Sequence, residues 1–224
     1  MTVDMKAFIL AGEPGKRWFN SIPRHLLNIA GEPLINRTIR QLRECGAQPV
    51  LVAPKHTWDL LAVSDGSVPC VESVKGPQSE GVFRLRELWR DSSRVAILLG
   101  DTCFSDAVMD RIVANNKKTP ASFFGRLTEM YAFTFQASEY DAIESAARRA
   151  IPYNVWKIYR AYFGLANLHE PVFDSAGLFQ LVPDGDYTDD FDTYQNYQEW
   201  LKINAWAKYD HFLERESCEG LHSP

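Results

Sequence analysis

Three stretches of the chain carry residues whose types and spacing could do chemistry. In Leu10-Ala11-Gly12-Glu13-Pro14-Gly15-Lys16-Arg17 an apolar run ends in a glycine-containing loop with two adjacent cations. Glycine lets the backbone approach a phosphate closely, its N–H groups can form an anion-binding concavity, and Lys16 and Arg17 add charge. An ordinary turn with solvated cations uses the same residues. Val95-Ala96-Ile97-Leu98-Leu99-Gly100-Asp101 sets a carboxylate at the end of an apolar strand. In open α/β sheets that is the side where ligands bind, although a helix N-cap or a turn uses an aspartate there equally well. Between Asp184 and Thr193 stand five aspartates. Such a run is more often a solvated loop and helix start, whereas two carboxylates from distant parts of the chain, converging beside a triphosphate, make an oxygen cage for Mg²⁺.

Other chemistries find less support. His25, His56, His169, His211 and His222 form no H-x-x-x-H or H-E-x-x-H pattern, which disfavours a zinc hydrolase. There is no G-x-S-x-G elbow, and Cys103 near Asp101 has no identifiable base partner. Gly15-Lys16 is followed by Arg17 rather than Ser or Thr, so the P-loop pattern is incomplete. A net charge of −5, from 24 Lys+Arg against 29 Asp+Glu with no dense basic run, argues against coating a nucleic acid. A small anionic substrate held by a few local cations remains open. The four cysteines, Cys45, Cys70, Cys103 and Cys218, are scattered as reduced thiols are. No segment has the length of a membrane span or the form of a signal peptide, so the expectation is a cytoplasmic protein without a membrane partner.

The elements that must position these residues follow from hydrophobic period. Met5 to Ala11 reads as a buried strand, and Glu32 to Leu42 as a helix with Pro33 at its first position and Gly46 just past its end. Strands are expected at Val50 to Ala53, Val68 to Val71 and Val95 to Leu99. A loop at Lys75 to Gly81 leads into a helix faced by Val82, Leu85, Leu88 and Trp89. Strands alternating with helices, each strand apolar on both faces, imply a parallel sheet covered on both sides. After residue 119 the pattern changes: Ala121 to Gly125 and Tyr131 to Gln136 are separated by a short gap and read as strands paired without a crossover. Ser138 and Asp141 have the form of a capping box, Val155 to Leu165 reads as a return to the sheet, and a last helix starts near Thr193 and includes Tyr197, Trp200, Leu201 and Trp206. The expectation is one three-layer α/β/α Rossmann-like domain over residues 1–214. Its parallel first half ends near 118, a mixed and more antiparallel second half follows, and the tail from Arg215 to Pro224 is frayed.

Taken together, these pieces resemble the nucleotidyltransferase superfamily, which includes sugar-phosphate nucleotidyltransferases and MobA-like NTP transferases. Its loop of the form L-A-G-G-x-G-x-R, its P-K-x-L and its helix-opening G-x-P-L have counterparts in Leu10 to Arg17, in Pro23-Arg24-His25-Leu26 and in Gly31-Glu32-Pro33-Leu34. Gln78 and Gly81 resemble the base-recognising Gln and Gly, Leu99-Gly100-Asp101 the L-x-G-D motif, and Asp192-Thr193 the late D-T. The resemblance implies a GT-A-like fold and Mg²⁺-dependent transfer of a nucleotidyl group from an NTP to a small phosphorylated acceptor, with release of pyrophosphate, in sugar-nucleotide biosynthesis, and a homodimer is possible. It implies that Asp101 and Asp192 ligate the metal and that Lys16, Arg17 and Arg24 neutralise the triphosphate. Leu10, Ala11, Gly12, Glu13, Gly15, Gln78 and Gly81 would contact the nucleotide, and Lys157 is the candidate for the acceptor-side lysine. The chain departs from the pattern at Glu13-Pro14, which makes the loop stiffer and more acidic, and at Arg24, where a planar fork replaces a compact ammonium. Two alternatives stand beside this reading: a glycosyltransferase using Asp190-Phe191-Asp192 as a D-x-D motif, and a nucleotide-binding domain that has lost catalysis.

Overall fold

The computed structural model describes residues 3–11, 22–55, 68–73, 77–115, 119–126, 129–164 and 179–208. In chain order the strands are β1 (Val3–Leu10), β2 (Asn28–Ile29), β3 (Glu32–Pro33), β4 (Gln48–Ala53), β5 (Cys70–Glu72), β6 (Ser92–Leu99), β7 (Thr102–Cys103), β8 (Ala121–Gly125), β9 (Met130–Gln136), β10 (Phe179–Leu181) and β11 (Asp189–Asp190). The helices are α1 (Leu34–Glu44), α2 (Gln78–Arg84), α3 (Arg86–Trp89), α4 (Asp106–Asn115), α5 (Tyr140–Ala150), α6 (Trp156–Tyr162) and α7 (Tyr194–Ile203). A seven-stranded sheet runs in the order β10-β8-β9-β6-β1-β4-β5. Strands β6, β1, β4 and β5 are parallel, and β9 runs antiparallel to both β6 and β8. This is the mixed α/β architecture expected from the sequence.

Alternation along the strands divides the core in two. Met5, Ala7 and Ile9 of β1 pack with Ile35, Ile39 and Leu42 of α1 and with Val108, Met109 and Ile112 of α4. Phe8 faces the other way, into a cluster with Val82, Leu85 and Trp89 and with the apolar stripes of α5 and α6. Burial on both faces explains why the parallel strands are almost uniformly apolar. Aromatic side chains bind α3, α5 and α6 to the sheet: Trp89 meets Phe135 edge-on at 5.2 Å, and Tyr159 meets Phe123 at 5.0 Å. A third, smaller cluster joins Leu27, Ile29, Leu34, Cys103, Phe191, Tyr197 and Trp200. It stitches the segment after Pro23 to β7, β11 and α7.

Several local expectations are corrected. Pro33 is not the first residue of α1 but its extended cap (φ −57°, ψ 137°), because Glu32–Pro33 pairs with Asn28–Ile29 as a small hairpin. Gly46 lies just past the helix at φ +81°, a left-handed position that favours glycine. Gln78 to Gly81 is helical rather than loop. Ser138 lies in a 3-10 turn, Ala137–Glu139, ahead of α5, whose cap makes no side-chain hydrogen bond. Residues 155–162 do not return to the sheet, since Val155, Ile158, Tyr159 and Tyr162 follow a helical spacing and α6 lays that stripe on the core. Trp206 falls outside α7, in a short 3-10 helix, Ala205–Lys208. No helix among the described residues is long and apolar enough to cross a membrane.

Candidate active site

At the carboxyl ends of β1 and β6 the two strands close on each other. The Gly100 N–H donates to the Leu10 carbonyl at 3.1 Å, and a Cβ on Gly100 would lie 3.0 Å from that oxygen and 3.1 Å from Ala11 Cα. Ala11 N donates in turn to the Val52 carbonyl at 2.9 Å. The last residues before the glycine-containing loop are thus held beside the turn that carries Asp101. The other loop residues proposed from the sequence, Gly12, Glu13, Gly15, Lys16 and Arg17, lie outside the described residues.

Asp192 is brought to Asp101 by local pairing. β11 runs antiparallel to β7 with Asp190 opposite Thr102 and Asp189 opposite Cys103, and Phe191 N donates to the Asp101 carbonyl at 3.1 Å. Phe191 is wholly buried, edge-on to Tyr197 and Trp200 at 5.3 and 5.4 Å, so Asp190 and Asp192 flank an anchored residue. Thr193 then caps α7 in a reciprocal box with Asn196. A Thr after Asp192 therefore has a structural task in fixing where the helix starts.

Arg24, first residue of the 3-10 helix Arg24–Leu26, faces both acids. Its Nη1 lies 2.7 Å from Asp101 Oδ2 and 3.7 Å from Asp192 Oδ1, and it donates to the Phe191 carbonyl at 3.4 Å. Burial raises the Asp101 pKa against the downward pull of Arg24. The neighbouring His25 is buried and its Nε2 has no hydrogen-bond partner; burial, and then the Arg24 charge, lower its pKa to about 4. It is neutral at physiological pH.

Beside this pair the structure gathers carboxylates that the sequence reading did not single out as a group. Oxygens of Glu129, Asp189 and Asp190 lie within 4.8 Å of one another. Burial first, and then the charges of Glu129, Asp101, Asp192 and Asp189, push the Asp190 carboxyl well above the ordinary carboxylate range. Tyr131 OH donates to Glu129 Oε2 (3.1 Å) and to Asp189 Oδ1 (3.3 Å). Arg126 Nη2 donates to the carbonyls of Thr188 and Asp186 at 3.1 and 3.4 Å, strapping the segment that leads into β11. The aspartate run pointed to this segment, but Glu129 had no signal beyond standing one residue before β9. A donor set made of carboxylate oxygens suits a hard divalent cation such as Mg²⁺ or Mn²⁺.

The remaining candidates gather elsewhere on the fold. Gln78 is exposed at the start of α2, and its Oε1 accepts from Val155 N at 3.4 Å, which ties it to the head of α6, the helix that carries Lys157. Burial and then Arg160 lower the Lys157 pKa. Gly81 sits within α2, and a Cβ there would meet nothing within 4 Å. The fold therefore unites Arg24, Asp101 and Asp192 and separately links Gln78 to the helix of Lys157.

A mixed α/β sheet with paired acids at the carboxyl edge of its parallel strands is an architecture suited to nucleotidyl transfer. The sequence model of the MobA-like NTP transferase domain matches residues 7–162, and the chain belongs to that family of nucleotidyltransferases. Solved structures share the fold at low identity. A protein assigned as a glucose-1-phosphate thymidylyltransferase from Bacillus anthracis is 18% identical with a TM-score of 0.63, over 91% of this chain and 95% of that one. The inositol-1-phosphate CTP transferase from T. maritima is 12% identical at 0.63, over 94% and 98%. The bifunctional IspDF from Campylobacter jejuni is 12% identical at 0.64, over 88% of this chain and 54% of that one.

Proposed function

We propose that this protein transfers a nucleotidyl group from an NTP to a small phosphorylated acceptor, a sugar phosphate or a related compound, in a Mg²⁺-dependent reaction that releases pyrophosphate. The observation that carries the proposal is the meeting of Asp101 and Asp192 on one guanidinium nitrogen at the carboxyl edge of the sheet. A phosphate oxygen of the acceptor attacks the α-phosphorus in line, the bond to the bridging oxygen breaks, and pyrophosphate leaves with that electron pair. The protein needs no nucleophile of its own, so its task is positioning and charge compensation.

Asp101 and Asp192 would hold the metal, which supplies Lewis-acid neutralisation of the phosphate charge. Lys16, Arg17 and Arg24 neutralise the triphosphate and the leaving group, and the loop from Leu10 through Gly15 supplies backbone contact. Gln78 is assigned to the base, with the space over Gly81 left for it. Lys157, whose charge is disfavoured in the empty protein, is assigned to the acceptor phosphate. Both assignments are supported by the link between Gln78 and the head of α6.

The test is Asp101→Asn and Asp192→Asn, with melting curves to verify folding. Each should lower pyrophosphate release on the order of 100-fold or more. Wild-type rates in either variant would overturn the assignment of the site.

A further inference from the structure

We propose that Arg24 is a resident counter-cation which holds the metal position between Asp101 and Asp192 in the nucleotide-free protein, and which must leave that position before a divalent cation can enter. The inference rests on the two-carboxylate reading above and adds to it an exchange. One guanidinium nitrogen stands 2.7 Å from an Asp101 oxygen and 3.7 Å from an Asp192 oxygen, where a cation shared by both carboxylates would have to approach. The side chain of Arg24 is 15% exposed and that of Asp101 17%, so their attraction is screened less than that of a surface pair. Glu129, Asp189 and Asp190, whose carboxylate oxygens lie within 4.8 Å of one another, add to the negative potential here. Carboxylates gathered this closely are costly without a counter-cation, and Arg24 supplies one on these two oxygens.

Arginine suits this task in a way that lysine does not. The guanidinium is more weakly hydrated than an ammonium, so it gives up less solvation on entering a position where two carboxylates and the Phe191 carbonyl surround its Nη1. Arg24 also stands at the head of a 3-10 helix whose next residues are packed down: His25 and Leu27 are buried, and Leu34 N donates to the Leu27 carbonyl at 2.8 Å. The backbone therefore stays in place while the long side chain swings.

Two cations cannot share the position, so arrival of the metal expels the guanidinium, and a triphosphate is the anion that can receive it. Metal and nucleotide then bind with positive coupling. Metal alone takes the carboxylates and leaves Arg24 without their charge, nucleotide alone takes Arg24 and leaves the carboxylates uncompensated, and together they satisfy both, an effect that linkage makes reciprocal.

The experiment titrates Mn²⁺ into the full-length, nucleotide-free protein and follows free Mn²⁺ by its electron paramagnetic resonance signal. It compares wild type with Arg24→Gln, Arg24→Lys and Arg24→Gln combined with Asp101→Asn. Arg24→Gln should bind Mn²⁺ on the order of tenfold more tightly than wild type. Arg24→Lys should fall between them, and adding Asp101→Asn should erase the gain. Mn²⁺ should also raise the melting temperature of Arg24→Gln by more than that of wild type, since the tighter ligand stabilises more. If Arg24→Gln does not fold, the lysine variant decides by the same criterion. Equal or weaker Mn²⁺ affinity in the folded arginine variants overturns the exchange and leaves the metal site standing. No Mn²⁺ binding in wild type or variants overturns the metal site and the exchange with it.

Discussion

Arg24 and His25 are adjacent, yet their surroundings ask opposite things of them. Arg24 faces two carboxylates, while His25 is buried, its Nε2 has no hydrogen-bond partner among the described residues, and it is held neutral. Its folded pKa of about 4 lies below the ordinary histidine value of 6.5, so as pH falls the unfolded chain takes up this proton first. The stability it contributes is complete above about pH 6.5 and is lost as pH drops through 4, a difference of roughly 3 kcal/mol. Urea midpoints measured between pH 7 and pH 4 should fall less steeply in His25→Gln than in wild type, whatever the variant's stability at neutral pH. Parallel slopes would remove His25 from the acid response. Gly81 makes a second residue-scale prediction. Packing does not demand glycine there, because a Cβ meets nothing, and Gly81→Ala should raise helix stability by about 1 kcal/mol. If the space belongs to the nucleotide base, the same substitution should raise the KM for the NTP. A gain in melting temperature with unchanged KM would sink that assignment. At this scale Asp101 stands out as the acid after an apolar strand and Asp192 only through its resemblance to a late D-T, and the fold sets both beside Arg24. Glu129 does not stand out, because only the fold of the chain brings it beside Asp189 and Asp190.

The elements succeed or fail as predictors according to how far local pattern decides them. β1, β4 and β6 each end in a continuous apolar run, Ala7 to Leu10, Pro49 to Ala53 and Val95 to Leu99, the pattern of a strand buried on both faces of a parallel sheet. Residues 155–162 were misread because Trp156, Tyr159, Tyr162 and Phe163 look like the aromatic content of a strand. The spacing of Val155, Ile158, Tyr159 and Tyr162 was the better signal, and Tyr159, Trp156 and Phe179 pack mutually at 5.2 to 5.6 Å once α6 forms. The Ser138 capping box failed because a 3-10 turn intervenes, whereas Thr193 carries out that role at α7 with Asn196 in the reciprocal position. Thr193→Ala should therefore cost about 1 kcal/mol in thermal or urea unfolding. Because Asp192 immediately precedes this cap, the variant should also weaken metal activation, read as a higher Mg²⁺ concentration for half-maximal rate. A stability loss with unchanged Mg²⁺ dependence would show that the cap and the carboxylate are independent.

On the scale of the whole molecule, the site is made by a junction between the sheet and the small cluster around Phe191. The sheet supplies Asp101 at its carboxyl edge, and the cluster supplies Arg24 from the segment before β2 and Asp192 from the segment before α7. Tyr197 OH donates to the Asn28 carbonyl at 2.6 Å and Ala30 N donates to the Ala207 carbonyl at 2.9 Å, so the segment around β2 is tied to α7 and the turn after it. Motif order along the sequence foreshadowed this convergence, but no local pattern could, since the partners are distant in the chain and meet only through tertiary packing. The second substrate lies beyond these motifs and is decided by the chemistry that the assembled cleft accepts. The most direct measurement is pyrophosphate release by the wild-type protein, with each of the four NTPs and Mg²⁺ set against a panel of sugar phosphates and related small phosphates. The proposed chemistry predicts that at least one pair releases pyrophosphate in equal amount to a nucleotidylated product, and that chelation of the metal stops it. NTP binding by calorimetry with no turnover across the panel, or consumption of a nucleotide sugar without pyrophosphate, would contradict it.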